Sequence, residues 1–136
     1  MSIKSFLLGS VLLFCFILSN AQKTGSASLN GAWQNVDNKG FAVIHDGYFN
    51  AVGQDSTGKW NSVHAGTLTV NNDNTVTFKA LYSSYPDHMG SLNTAEYTLK
   101  GDTLKMRHFK KLIDAQGKDI TNQMPKDAWE TSVRLK

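Results

Sequence analysis

The sequence predicts an all-β protein, an antiparallel up-and-down barrel of roughly eight strands that follows a cleaved N-terminal signal peptide. Three observations favour this fold. Apolar and polar residues alternate with a period of two from Leu29 onward, pairs of Asn, Asp and Gly separate the alternating segments, and helical periodicity is almost absent. Because closing an eight-stranded meander removes its exposed edges, a barrel is favoured over the alternative of a two-sheet sandwich.

Length and composition narrow the class of protein. The chain has 136 residues, enough for one domain, and its 14 basic and 11 acidic side chains give a net charge of +3. With 11 glycines, 2 prolines and 1 cysteine, the composition excludes a collagen-like chain and a disulfide scaffold. The basic residues are dispersed, and Lys110 and Lys111 form their longest run, so we expect no nucleic-acid partner.

The N-terminal segment is typical of a secretory signal. Lys4 supplies a positive start, residues 6–18 are mostly apolar, and Ser19 and Ala21 place small side chains at a cleavage site. The apolar stretch is shorter than the about 20 residues that a membrane-spanning helix needs. We therefore predict a signal peptide over 1–21, a flexible leader over 22–28 and a mature domain over 29–136, exported to the periplasm or the cell exterior and without a membrane span.

Turn sequences divide the mature domain into strands. Asp46 with Gly47, and Gly101 with Asp102, suit two-residue hairpin turns, which require positive φ angles. Two connections are longer, residues 83–91 and 110–127, and the second is expected to contain a short helical turn around 120–123. The predicted strands lie near 29–36, 40–46, 48–54, 60–70, 74–82, 92–100, 102–109 and 128–135.

Alternation along these strands also predicts which side chains line the barrel interior. An eight-stranded barrel either holds one small ligand or is filled by its own side chains. Small-molecule pockets combine apolar and aromatic walls with a few polar groups, and the predicted inner faces supply both. The candidate ligand-binding residues are Trp60, His64, Phe78, Tyr82, Tyr97, Met106 and His108.

The sequence contains no recognisable catalytic or metal-binding motif. Its histidines are not spaced as His-x-His or His-x-x-x-His, no serine lies in a Gly-x-Ser-x-Gly motif, and most acidic residues occupy turns. We therefore expect no metal site, no cofactor and no enzymatic activity. From the sequence alone, we interpret His64 and His108 as hydrogen-bonded side chains inside the barrel or at its rim.

Several short motifs occur in an order that resembles the lipocalins and related calycins. Residues 29–33 contain a Gly-x-Trp first strand, residues 46–49 an Asp-Gly-Tyr-Phe hairpin, residues 66–70 a Gly-Thr-Leu-Thr-Val strand, and residues 99–104 a Leu-x-Gly-Asp-Thr-Leu hairpin. Together they are similar to small secreted lipocalin-like proteins of Bacteroidetes-type bacteria, most of them uncharacterised.

The resemblance covers nearly the whole mature chain and implies a structural role for two residues. Trp33 would close one barrel end, and Arg134 in the last strand would pack across its ring, a favourable cation–π pairing. The chain has neither the second lipocalin motif nor a long helix before its last strand. The resemblance therefore implies a barrel and a closed end, and no particular lipocalin ligand.

Three functions stay open from the sequence. The first is an exported protein that binds a small, largely apolar molecule inside the barrel. The second is a structural or interaction protein of the cell envelope, with a filled core and contacts through loops 83–91 and 110–127. The third, a calycin-type enzyme, requires titratable groups that converge at one barrel mouth. An interior void lined by Tyr97 and His108 favours the first, and a filled interior favours the second.

Overall fold

The computed structural model describes residues 29–54, 57–72 and 74–136 and shows a closed, antiparallel β-barrel. The predicted signal peptide and leader lie outside the described residues. The strands of the barrel are β1 Gly31–Asn35, β2 Phe41–His45, β3 Tyr48–Gln54, β4 Trp60–Asn72, β5 Thr75–Ser83, β6 Leu92–Lys100, β7 Thr103–Ile113 and β8 Trp129–Arg134. Each strand pairs with the next one along the chain, and β8 pairs with β1. The predicted eight-stranded up-and-down barrel is confirmed, and the sandwich is excluded.

The connections follow the turn sequences closely. Asp46 and Gly47 have φ angles of 46° and 83°, as the β2–β3 hairpin turn requires. Single 3-10 turns cover Pro86–His88 and Thr121–Gln123, and the second of these lies where a helical turn was expected. Strand β7 runs to Ile113 and so includes the start of the predicted 110–127 connection. Within the described residues there is no helix with the length and apolar character needed to cross a membrane.

Bulges in β4 and β5 interrupt the period-two alternation. Between β3 and β4 the register passes from Ala51 opposite His64 to Val52 opposite Ser62, which leaves Val63 as an extra residue. Between β4 and β5 it passes from Ala65 opposite Tyr82 to Gly66 opposite Ala80. At this bulge a Cβ atom on Gly66 would lie 1.9 Å from the Lys79 carbonyl oxygen, so the close backbone approach requires glycine.

Strand β7 carries a larger bulge. Thr94 of β6 pairs with Lys111 and Glu96 pairs with Arg107, so residues 108–110 lie opposite Ala95 alone. Phe109, in the middle of the bulge, has a φ angle of 60°, which is uncommon for an aromatic residue. Because the bulge breaks the alternation, the two successive side chains of His108 and Phe109 both reach the barrel interior.

The hydrophobic core fills one end of the barrel. Leu29, Trp33 and Val76 are its most deeply buried large side chains. The indole Nε1 of Trp33 donates a hydrogen bond to the Leu29 carbonyl at 2.8 Å. The guanidinium of Arg134 lies across the Trp33 ring, 4.2 Å from its centroid, and donates a hydrogen bond to the Asn30 carbonyl. These are the positions that the lipocalin resemblance implies for Trp33 and Arg134, and we refer to this end as the closed end.

Candidate functional site

A cavity of about 630 Å³ occupies the barrel between the core and the opposite end. Its walls are largely apolar and include Trp33, Ile44, Phe49, Phe78, Leu104 and Met106. Residues from the β1–β2 connection and from the two longer connections form its mouth, among them Asn38, Tyr85, Asp87, His88, Asp114 and Met124. We refer to this end as the open end. The barrel therefore contains the kind of interior void that a binding protein needs.

Four of the seven candidate residues border the cavity. Phe78 and Met106 contribute to its apolar wall, and His64 and His108 contribute imidazole rings nearer the mouth. The ring of Phe78 packs against Phe49, with centroids 5.1 Å apart and the rings nearly perpendicular. The same ring lies 6.4 Å from the ring of His108. The structure thus brings these four residues together from β4, β5 and β7.

The other three candidates do not border the cavity. Tyr97 is 6% exposed and belongs to the core at the closed end, so the void is lined by His108 but not by Tyr97. Trp60 and Tyr82 are 48% and 53% exposed, and their expected inward orientation is not observed. Trp60 lies beyond the bulge in β4, and Tyr82 lies beyond the bulge in β5. Because a bulge adds one residue to its strand, the side chains beyond it point to the face opposite the one that uninterrupted alternation predicts. A role in ligand binding remains a prediction for all seven.

The main polar group on the cavity wall is Glu130 of β8. It pairs with Met106 of β7 and shares the inward face with Ser132 and Arg134. The Ser132 hydroxyl donates to its Oε1 at 3.3 Å, and the Nε2 atom of His108 lies 3.6 Å from its Oε2. The His108 ring is the largest influence on the pKa of Glu130 and lowers it, with help from Asn35 and Ser132, although burial acts in the opposite direction. Glu130 is therefore ionised at neutral pH.

The bulge in β7 orients His108. The backbone N–H of Phe109 donates to Oδ1 of Asn93 at 3.0 Å, which turns the amide nitrogen of Asn93 toward Nδ1 of His108 at 3.4 Å. This arrangement assigns the proton of a neutral imidazole to Nε2, on the side of Glu130. His108 and Glu130 therefore form an oriented pair on the inner wall.

A second group of rings lies at the mouth. The His64 ring stacks on the His88 ring at 5.5 Å, and Tyr85 lies 6.5 Å from His64 and 5.3 Å from His88. Nδ1 of His64 is buried and has no hydrogen-bond partner in the described structure. Burial is the largest cause that lowers the pKa of His64, and the nearby His88 and His108 lower it further. His64 is therefore neutral at pH 7 and presents an unpaired polar atom.

Among the described residues no group of three His, Cys, Asp or Glu side chains is arranged to hold a metal ion. Ser132 donates its hydrogen bond to Glu130 rather than to His108, so the imidazole is not placed to accept the serine proton as in a Ser-His-acid triad. The polar groups can, however, pair with a polar group on a bound molecule.

Sequence reasoning missed Glu130, Ser132, Asn35 and Asn93. A usable signal existed for three of them. Once the resemblance places Trp33 and Arg134 inside the barrel, a period of two places Asn35, Ser132 and Glu130 on the same inward faces. No comparable signal existed for Asn93, because it pairs with Leu112 and reaches His108 only through the bulge in β7.

Comparison with known proteins adds no relative from which a function could be transferred. No family model matches the sequence, and no curated protein matches it either. The geometry of the cavity therefore carries the functional proposal.

Proposed function

We propose that the mature domain is an exported, lipocalin-like binding protein that holds one small, largely apolar molecule inside its barrel. The observation that carries this proposal is the interior cavity of about 630 Å³. Pockets for small molecules commonly measure about 300–1,000 Å³ and have mostly apolar walls with a few polar groups. The wall around Phe49, Phe78 and Met106, with the His108 and Glu130 pair, has this character.

The cavity also favours binding over the alternative of a filled, purely structural barrel. In a filled barrel, aromatic side chains would occupy the space between Phe78 and the mouth. Instead, small side chains such as Ala42, Ala51 and Ala80 border it. The connections 83–91 and 110–127, which the structural alternative treats as partner contacts, contribute rim residues such as Tyr85, His88 and Met124. In the proposed role they control access to the cavity.

The proposed role is binding without catalysis, in the periplasm or outside the cell. Export is supported by the signal-like composition of residues 1–21. The observation that favours the enzymatic alternative is the convergence of His64, His88, His108 and Glu130 at the open end. A nucleophile in contact with the His108 ring would add weight to that alternative, but the neighbouring Ser132 contacts Glu130 instead.

Titration with N-phenyl-1-naphthylamine, an apolar dye whose fluorescence rises outside water, tests the proposal. We expect the mature domain to bind the dye with one-to-one stoichiometry. The double variant Ala42→Phe with Ala51→Phe adds two rings at cross-strand neighbours on the cavity wall, and we expect at least about tenfold weaker binding because the added rings occupy the void.

The matched control places two phenylalanines at another cross-strand pair. Thr98 and Lys105 are exposed partners on β6 and β7, so Thr98→Phe with Lys105→Phe should leave dye affinity and stoichiometry unchanged. Equal dye binding by the two double variants would contradict an interior site. No dye binding by the unmodified domain would favour the filled-barrel alternative.

A further inference from the structure

The charge of the cavity is opposite to that of the chain. The whole sequence has a net charge of +3. Among the described residues that border the cavity, however, Asp87, Asp114 and Glu130 carry carboxylates, and none is lysine or arginine. A basic protein with an acidic cavity attracts cations to its interior and disfavours anions there.

Glu130 is the carboxylate that lies on the barrel wall, and among the described residues no lysine or arginine forms an ion pair with it. Its contacts with Ser132 and Asn35 come from neutral hydrogen-bond donors, and the Nε2 atom of His108 lies 3.6 Å from its Oε2. About 43% of the Glu130 side chain is exposed. Because Glu130 shares the inward face with Met106 and Ser132, this exposed part borders the cavity.

The aromatic walls add to the preference for a cation. Phe49 and Phe78 pack edge to face at 5.1 Å, and Phe109 also borders the cavity. The faces of aromatic rings are electron-rich and attract ammonium groups, most strongly where water is excluded. The apolar part of a ligand would pack against the same rings.

We infer that the cavity binds a small apolar molecule that carries one amine, with the ammonium group paired to Glu130 and the apolar body packed against Phe49 and Phe78. This inference rests on the proposed binding function and adds the chemical class of the ligand. Molecules with the same apolar body and a carboxylate are disfavoured, because they would bring an anion toward Glu130 without a basic residue to pair with.

Isothermal titration calorimetry with octylamine, 1-octanol and octanoate at pH 7 tests the inference, because these probes share an alkyl chain and differ in head-group charge. We expect octylamine to bind about tenfold more tightly than octanol, and octanoate to bind most weakly. In Glu130→Gln, octylamine should lose this advantage and bind within about twofold of octanol. An unchanged affinity for octanol shows that the variant keeps its fold and cavity.

The control is Glu96→Gln, the same substitution on a glutamate that does not border the cavity and is paired with Arg107 and Lys110. It should retain the full preference for octylamine. If octanol and octanoate bind as well as octylamine, the amine inference is overturned while the proposed binding function stands. If the preference survives in Glu130→Gln, Glu130 is not the recognition group. If none of the three probes binds, both proposals fail for molecules of this class.

Discussion

The closed and open ends of this barrel are built from the same strands, yet they differ in how completely their polar groups are paired. At the closed end, each of three hairpin turns accepts a backbone hydrogen bond from a neighbouring strand: Gly47 from Leu68, Asn74 from Tyr97, and Asp102 from Arg134, at 2.7–2.8 Å. Leu29 and Trp33 fill the space beneath these turns. At the open end, the His64 ring has a buried nitrogen without a hydrogen-bond partner, and part of the Glu130 side chain is exposed.

This difference indicates that the closed end contributes more to the stability of the fold than the open end does. Buried polar atoms are normally paired, and an unpaired one costs free energy. The closed end follows that rule and anchors the barrel, whereas the open end departs from it around the cavity. The unpaired nitrogen of His64 and the exposed part of Glu130 both lie beside the void, where a bound ligand would supply partners for them. We therefore expect substitutions at the closed end to affect stability and those at the open end to affect binding.

The largest expected effect comes from removing the Trp33 side chain. Trp33→Ala deletes a 2% exposed indole from the core, and we expect the free energy of unfolding to fall by about 3–5 kcal/mol in urea titrations. The control is Trp129→Ala on the outer wall, where the side chain is 55% exposed and the loss should stay within about 1 kcal/mol. Similar losses in the two variants would show that the closed end does not anchor the fold.

A smaller effect on the free energy of unfolding is expected from replacing either of two arginines, each of which lies near a tryptophan and a carboxylate. Arg134 lies 4.2 Å from the Trp33 ring centroid, 3.5 Å from Asp102, and bonds to the Asn30 carbonyl. Arg134→Leu leaves that carbonyl and Asp102 without these contacts, and we expect a loss of about 1–3 kcal/mol by urea unfolding.

The matched variant for this comparison is Arg107→Leu. Arg107 lies on the outer wall, 5.8 Å from the Trp129 ring centroid and paired with Glu96. Glu96 keeps Lys110 as a second partner when Arg107 is replaced, so the loss should cost less than about 1 kcal/mol. A larger loss for Arg107→Leu than for Arg134→Leu would reverse the proposed order of the two sites.

The strands and most of the turns could be predicted from the sequence because they depend on local signals, whereas the closed end was expected from the resemblance to lipocalins. Alternation, an Asp-Gly turn and a Gly-x-Trp first strand each act over a few residues. The orientation of Trp60 and Tyr82 depends instead on the extra residues Val63 and Leu81. An isolated glycine inside a strand, such as Gly66 beside the second bulge, is a signal for such an irregularity, but alternation alone does not locate the extra residue.

The candidate site was predicted less completely, for a related reason. His64, Phe78, Met106 and His108 carry an apolar or aromatic signature and border the cavity. Glu130 lies on a strand whose alternate residues, Trp129, Thr131 and Val133, look like the core-facing set. In the structure these three face outward, because Arg134 must face inward to reach Trp33. A single cation–π contact at the closed end thus decides which face of β8 carries polar groups into the cavity.

The smallest expected effect is the pH dependence of stability at the open end. The pKa of His64 is lowered in the folded state from an ordinary value of 6.5, so as the pH falls below about 6.5 the unfolded chain takes up more protons. The free energy of unfolding must then decrease. The lowered pKa of Glu130 acts in the same direction but only below about 4.5, so urea midpoints between pH 7.5 and 5 isolate the histidine contribution.

His64→Leu should flatten this pH dependence, because leucine cannot be protonated and leaves no buried nitrogen unpaired. We expect the difference from the unmodified domain to be less than about 1 kcal/mol at pH 5 and smaller at pH 7.5. The control is His45→Leu at the end of β2, where the side chain is 78% exposed. This variant should retain the slope of the unmodified domain. If His64→Leu retains that slope as well, protonation of His64 does not limit stability at the open end.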